Sequence, residues 1–283
     1  MEKNNTKKHK RKRKGWANIV FVTVVALLLI QSLHYAKRIQ EYVGGEIYSD
    51  VSFLAEKNGT ATAENIVTVF AAEHGLQVSQ YPKELIELLA RNPEAEEFVL
   101  NYPLKKDLTP VIDLSSYEDC DEVPLLLQWD ERWGYDQYGA DVMGLSGCGP
   151  TCLSMVSIYL LQNTDYDPRY VADFSEANGY CVPGNGSAWT LISEGGKKLG
   201  LDVEELSLNE DMIIQNLVSG NPIICVMGPG DFTTSGHFIV MVDYVDGKIK
   251  VNDPNSRVRS ETLWEYEAIK GQIRNLWVCR KEM

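Results

Sequence analysis

The chain has 283 residues, 27 of them basic and 40 acidic, for a net charge of −13. A surface this acidic is poorly suited to phosphate backbones or anionic lipid faces, which excludes nucleic acid as a partner. The charge is unevenly spread: the first fifteen residues hold eight bases (Lys3, Lys7, Lys8, Lys10, Arg11, Lys12, Arg13 and Lys14) against Glu2, so +7 lies there and −20 in the remainder.

After that basic tail (1–15) comes an uncharged apolar run, Trp16 to Ile30, closed by Gln31-Ser-Leu33. With its ends, the segment 16–35 approaches the ~20 residues that cross a bilayer. Basic residues directly before it predict a cytoplasmic N-terminus and an extracytoplasmic remainder. A retained signal anchor is expected rather than a cleaved signal peptide, because Ser32-Leu-His-Tyr-Ala36 makes a poor small-x-small cleavage site.

Residues 36–114 read as helical. Thr62 to His74 has helical apolar spacing, with Thr62 as N-cap and Gly75 as stop; Tyr81–Ala90 and Pro93–Leu100 come next, each with proline in its first turn. This region is expected to be a stalk or small subdomain packed on the C-terminal domain; a propeptide is the alternative.

The remaining part, 115–283, is long enough for one good core. Its centre is Leu145-Ser-Gly-Cys-Gly-Pro-Thr-Cys-Leu-Ser-Met-Val156. Glycines and Pro150 just before an apolar run predict a tight loop opening a helix, which places Cys148 at a helix N-terminus. The positive dipole end and unsatisfied N–H groups there lower a thiol pKa and can hold an oxyanion. Downstream, Asp167–Phe174 and Asn209–Val218 predict helices, Gly179–Ser187 a glycine-rich loop and Pro222–Met227 a buried strand. Gly228 to Gly236 reads as a mobile loop that delivers His237, the first residue of an apolar strand. A turn at Asp246-Gly247 leads into a second strand ending at Asp253, halted by Pro254. Gln272–Cys279 alternates like a strand. Of the four histidines, only His237 is placed to act as a base. On antiparallel neighbours, Asp253 can orient its imidazole, which is the nucleophile–base–orienter logic of cysteine and serine hydrolases.

Gln128-Trp-Asp-Glu-Arg-Trp133, Gly147-Cys-Gly-Pro-Thr151, Gly236-His237 and Asn252-Asp253-Pro254, in this order, resemble the C39-like cysteine peptidases of the papain-like superfamily, over roughly residues 123–278. The resemblance implies an α+β, papain-like fold with the nucleophile helix packed on an antiparallel sheet. It implies Cys148 as nucleophile, His237 as general base and Asp253 as orienting acid. Gln128 and the Cys148 N–H would be oxyanion donors, each worth about 3 kcal/mol in the transition state. It places the glycine-rich loop near the cleft and implies peptide or protein substrates. Cell-wall amide hydrolysis or transpeptidation by the same triad, and a non-catalytic peptide-binding module, are the alternatives.

No cofactor is expected, and no metal: there is no paired Cys-x-x-Cys, and His237 has no second histidine nearby. Six cysteines in an exported chain invite disulfides. With Cys148 free and Cys225 inside an apolar strand, Cys120–Cys279 and Cys152–Cys181 are the expected pairs.

Overall fold

The computed structural model describes residues 59–282. The basic tail, the apolar segment 16–35 expected to cross a membrane and the start of the helical region lie outside the described residues. Among the described residues, no helix is long and apolar enough to cross a membrane.

Three helices come first: α1 (59–73), α2 (Lys83–Arg91) and α3 (Glu96–Lys105), the last preceded by a 3-10 turn at Pro93–Ala95. Helix α1 already runs through 59–61, so Thr62 lies inside it and not at its cap. Helix α3 continues past the expected Leu100 and carries Pro103 near its end, where the missing N–H removes one intrahelical hydrogen bond. The buried faces of these helices, including Ala63, Val67, Leu85, Leu89 and Phe98, share one core with Leu127, Trp129 and Tyr135. Tyr135 Oη donates to the Phe98 carbonyl at 2.8 Å, and Lys105 pairs with Glu131. The helices are therefore no free-standing stalk: residues 60–283 form one compact unit.

Phe98 presses on the segment that precedes the nucleophile helix. A Cβ built on Gly144 would overlap the Phe98 ring. Gly144→Ala is expected to destabilise the protein by about 1–3 kcal/mol, as overpacking does. Thermal melting measures this, and an unchanged Tm would argue that Phe98 yields freely.

The chain then forms the small ribbon β1 (Gln137–Tyr138) and β2 (Asp141–Val142), a turn of helix α4 (Met143–Ser146) and the long α5 (Cys148–Leu161). Helix α6 (Pro168–Ala177) is capped by Asp167, whose side chain accepts from the Tyr170 N–H at 2.9 Å. The glycine-rich stretch is a hairpin, β3 (Cys181–Val182) and β4 (Gly186–Ser187), followed by a π-helical turn at Leu191–Gly195 and α7 (Gly196–Lys198). Next come β5 (Leu201–Glu205), α8 (Glu210–Val218) with Asn209 as its cap, β6 (Ile223–Met227), β7 (His237–Val245) and β8 (Lys248–Asn252). Helix α9 (Arg257–Glu261), β9 (Leu263–Trp264), α10 (Tyr266–Ile269) and β10 (Ile273–Lys281) complete the fold.

Six strands make one antiparallel sheet in the order β5-β10-β6-β7-β8-β9. One face packs on α5 through Leu153 and Val156 against Ile224, Val240 and Trp277. The other packs on α8, with Ile213 and Leu217 against Ile223, Ile239 and Met241. This is the expected α+β architecture. The β7–β8 turn has positive φ at both Asp246 (53°) and Gly247 (81°), as a two-residue hairpin loop of that hand requires.

The loop 228–236 is held more firmly than its glycines imply. The Asp231 N–H donates to Gln272 Oε1 at 2.8 Å, Gln272 Nε2 donates to Asp231 Oδ2 at 2.6 Å, and buried Phe232 packs at a tilt on Trp264. Polar side chains and one aromatic anchor replace the order that regular structure would supply.

Candidate active site

Helix α5 begins at Cys148, directly after Gly147. Both flanking glycines have negative φ, so close approach rather than backbone conformation requires them. A Cβ on Gly147 would meet the Met143 carbonyl at 2.6 Å, and one on Gly149 would meet Ser187 Oγ at 2.5 Å. The β3–β4 hairpin therefore leans on the first turn of α5, beside Cys148. Pro150 sits in that first turn, where its missing N–H has no intrahelical partner to lose.

His237 starts β7 at the end of the sheet, opposite Met227, and Asp253 comes directly after the last residue of β8. His237 Nε2 and Asp253 Oδ1 are 2.7 Å apart. The carboxylate can only accept, so Nε2 carries the proton, and the other ring nitrogen is left for the Cys148 thiol, whose charge is coupled to the imidazole. Thiol, imidazole and carboxylate thus form a chain.

Electrostatics derive from that chain. Burial works to raise the Cys148 thiol pKa, but His237 and the N–H groups of Phe238 and Gly149 outweigh it and hold it below the ordinary thiol value. Burial likewise opposes a charged His237, yet Asp253 and Cys148 push its pKa up to about 10. Asp253 has no exposed surface; burial disfavours its charge, and His237 and Arg259 together keep it ionised, below the usual carboxylate range. These directions favour a thiolate–imidazolium pair beside a carboxylate.

Gln128 is buried alongside. Its N–H donates to the Pro254 carbonyl at 2.7 Å, and Asn252 Nδ2 donates to the Val123 and Pro124 carbonyls. These bonds lay the extended segment leading to Gln128 next to Asp253. Gln128 Nε2 donates to Gly144 O at 2.9 Å, which leaves its second hydrogen uncommitted. Its Oε1 is buried without a partner among the described residues. The fourth expected site residue therefore lies against both the acid's turn and the segment leading to Cys148.

One participant went unread in the sequence. Arg259 Nε donates to Asp253 Oδ2 at 2.5 Å, so each carboxylate oxygen has its own cationic partner. The available signal was Ser256 as a helix cap with Arg259 in the turn it starts, which carries a cation back toward Asp253. His74 is elsewhere, exposed and stacked on Phe70; His9 and His34 lie outside the described residues.

The expected disulfides require correction. All six cysteines are free thiols, so neither Cys120–Cys279 nor Cys152–Cys181 forms. Cys152 is enclosed in α5 one turn below Cys148, whereas Cys181 turns toward Tyr138, with its sulfur 2.9 Å from a Cβ built on Gly139. Cys279 is fully buried within β10, where burial drives its thiol pKa up to about 12. Counting cysteines by compartment carries no distance information. Among the described residues, no group of three or more His, Cys, Asp and Glu is placed to hold a metal.

A thiol at a helix N-terminus beside an imidazole paired with a buried carboxylate is the arrangement that cysteine-dependent acyl transfer requires. The model of the Peptidase_C39 like family matches residues 120–282, more than half of the chain, and the chain belongs to that family. Membership suggests a cysteine-type peptidase acting on peptide or protein substrates. Among solved structures, the chain is similar to the peptidase domain of Streptococcus ComA, a bifunctional ABC transporter involved in quorum sensing, at 18% identity and a TM-score of 0.39 over 48% of this chain and 93% of that one. It is also similar to a Bacillus anthracis protein described as a C39-like peptidase, at 16% identity and a TM-score of 0.36 over 56% of this chain and 95% of that one. No curated protein sequence matches the chain.

Proposed function

We propose that the protein is a membrane-anchored, extracytoplasmic cysteine peptidase that hydrolyses peptide bonds through Cys148, His237 and Asp253. The observation that carries the reading is the buried His237–Asp253 pair, 2.7 Å apart at the end of the sheet, with the Cys148 thiol at the start of α5 electrostatically coupled to the same imidazole. The thiolate attacks the scissile carbonyl carbon, and the carbonyl oxygen becomes an oxyanion. The Cys148 N–H at the start of α5 and the free Nε2 hydrogen of Gln128 are its donors. As the tetrahedral species collapses, imidazolium gives its proton to the departing amine, and a thioester to Cys148 remains. His237 then takes a proton from water, whose oxygen attacks the thioester and releases the carboxylic acid and the thiolate. Asp253 keeps the imidazole oriented and its positive charge stabilised throughout.

Anchoring rests on the apolar segment 16–35 and the basic residues before it, with residues 59–282 on the far side of the bilayer.

A peptidyl epoxide or chloromethyl ketone tests the reading directly. Cys148 is expected to react rapidly and selectively, as mapped by mass spectrometry. His237→Ala should slow that reaction at least about 100-fold, the scale of a lost general base. Slow, unselective labelling that ignores His237 would exclude the peptidase and leave a peptide-binding relic.

A further inference from the structure

The turn that carries Asp253 is held from outside the family-matched span. Glu94, in the 3-10 turn between α2 and α3, accepts hydrogen bonds from Ser256 Oγ (2.5 Å), the Arg257 N–H (2.8 Å) and the Val258 N–H (3.4 Å). Asn92 is buried beside it. Its Oδ1 accepts from the Glu94 N–H at 3.1 Å, and its Nδ2 donates to Asn255 O at 2.6 Å and Asn255 Oδ1 at 3.2 Å. Trp129 Nε1 donates to the same Asn255 carbonyl at 3.3 Å.

Within the turn the bonds converge on the carboxylate. Asn255 N–H donates to Asp253 Oδ1 at 2.8 Å, and Arg259 Nε donates to Oδ2. Ser260 Oγ accepts from the Asp253 N–H at 2.9 Å and donates to the Ser256 carbonyl at 2.7 Å. Helix α9 has five residues, too few to be stable on its own. Its orientation, and hence where Arg259 reaches, is set by what grips its first turn. What grips it is Glu94.

We propose that Arg259 and Glu94 are positioning residues for the Asp253 carboxylate, so that the helical region 59–105 is a standing part of the catalytic machinery and not a removable propeptide. The inference rests on the peptidase reading. The titratable and charged groups around the triad come from several elements: Cys148 and Cys152 on α5, Tyr138 on β1, His237 on β7, Asp253 after β8, Arg259 on α9, with Glu94 and Arg257 at the α9 N-terminus.

The test is the rate of Cys148 alkylation by iodoacetamide as a function of pH, with the adduct located by mass spectrometry, in the full chain. Wild type is expected to react readily at pH 6, where an ordinary thiol is protonated. Glu94→Ala and Arg259→Ala should lower that rate about tenfold, one pKa unit, and converge with wild type at pH 10. Glu94→Gln and Arg259→Lys, which keep side-chain volume, should fall between and decide the matter if the alanine variants do not fold. The direction is diagnostic. Removing the negative charge of Glu94 would by itself favour the thiolate, so a slower reaction reports lost positioning. A Glu94→Gln rate at pH 6 equal to or faster than wild type would overturn the proposal while the peptidase reading stands. An ordinary thiol profile in wild type itself would overturn both.

Discussion

Replacing Cys148 by alanine is expected to lower kcat for peptide hydrolysis on the order of 10⁵-fold or more, the scale seen when a nucleophile is removed from a triad. The fold should survive, because Cys148 only packs, partly buried, at the edge of the core under α5, which Leu153, Val156 and Ile158 fill. The assay is turnover of a peptide selected from a library by the wild-type enzyme, with circular dichroism as the control for folding. A variant that keeps more than a few per cent of the activity would move the chemistry to another residue.

The second large effect belongs to Asp253→Asn. The amide keeps the shape but can present an N–H where Nε2 needs an acceptor, and the tautomer or orientation of His237 is lost. The expected cost is on the order of 10⁴-fold in kcat. The same variant should reshape stability against pH. The folded pKa of Asp253 is depressed, so its contribution is present above the unfolded value of about 3.9 and is lost as pH falls through the folded one. The folded pKa of His237 is raised to about 10. Its contribution is full below the unfolded value of about 6.5 and disappears as pH rises through the folded one. Wild-type Tm should therefore be greatest, as far as this pair contributes, between about pH 4 and 6.5. Asp253→Asn should lose the acid limb and weaken the alkaline one. Superimposable Tm profiles for the two proteins would show that the pair is not formed.

Much of the site was legible because its signals are local. Gly147 and Pro150 punctuate the start of α5, Asp246-Gly247 fixes the β7–β8 hairpin, and Pro254 ends its second strand. Together they bring Cys148, His237 and Asp253 to neighbouring ends of elements. What stayed hidden is long-range. Glu94 and Asn92 meet the Asp253 turn across some 160 residues of sequence, and nothing in an amphipathic helix names the surface it will cover. The strand β5 was missed because Leu201 and Val203 are its only buried positions, with Glu204 and Glu205 both exposed at the sheet edge. Arg259 read as an ordinary surface cation. Its partner is set by a turn of only six residues whose geometry depends on the distant clamp.

The place of β10 governs when the protein can become active. It is the last strand in chain order, yet it lies between β5 and β6, which do not pair with each other. Until β10 is synthesised, β6 has an open edge and the apolar surfaces on either side of Leu276 and Val278 are incomplete. A nascent chain carrying every site residue from Gln128 to Arg259 still lacks the strand that joins the two halves of its sheet. Folding of the site is thus deferred until β10 has emerged, a slow, non-local closure. Cys148, His237 and Asp253 are expected to come together only once β10 has joined the two halves of the sheet.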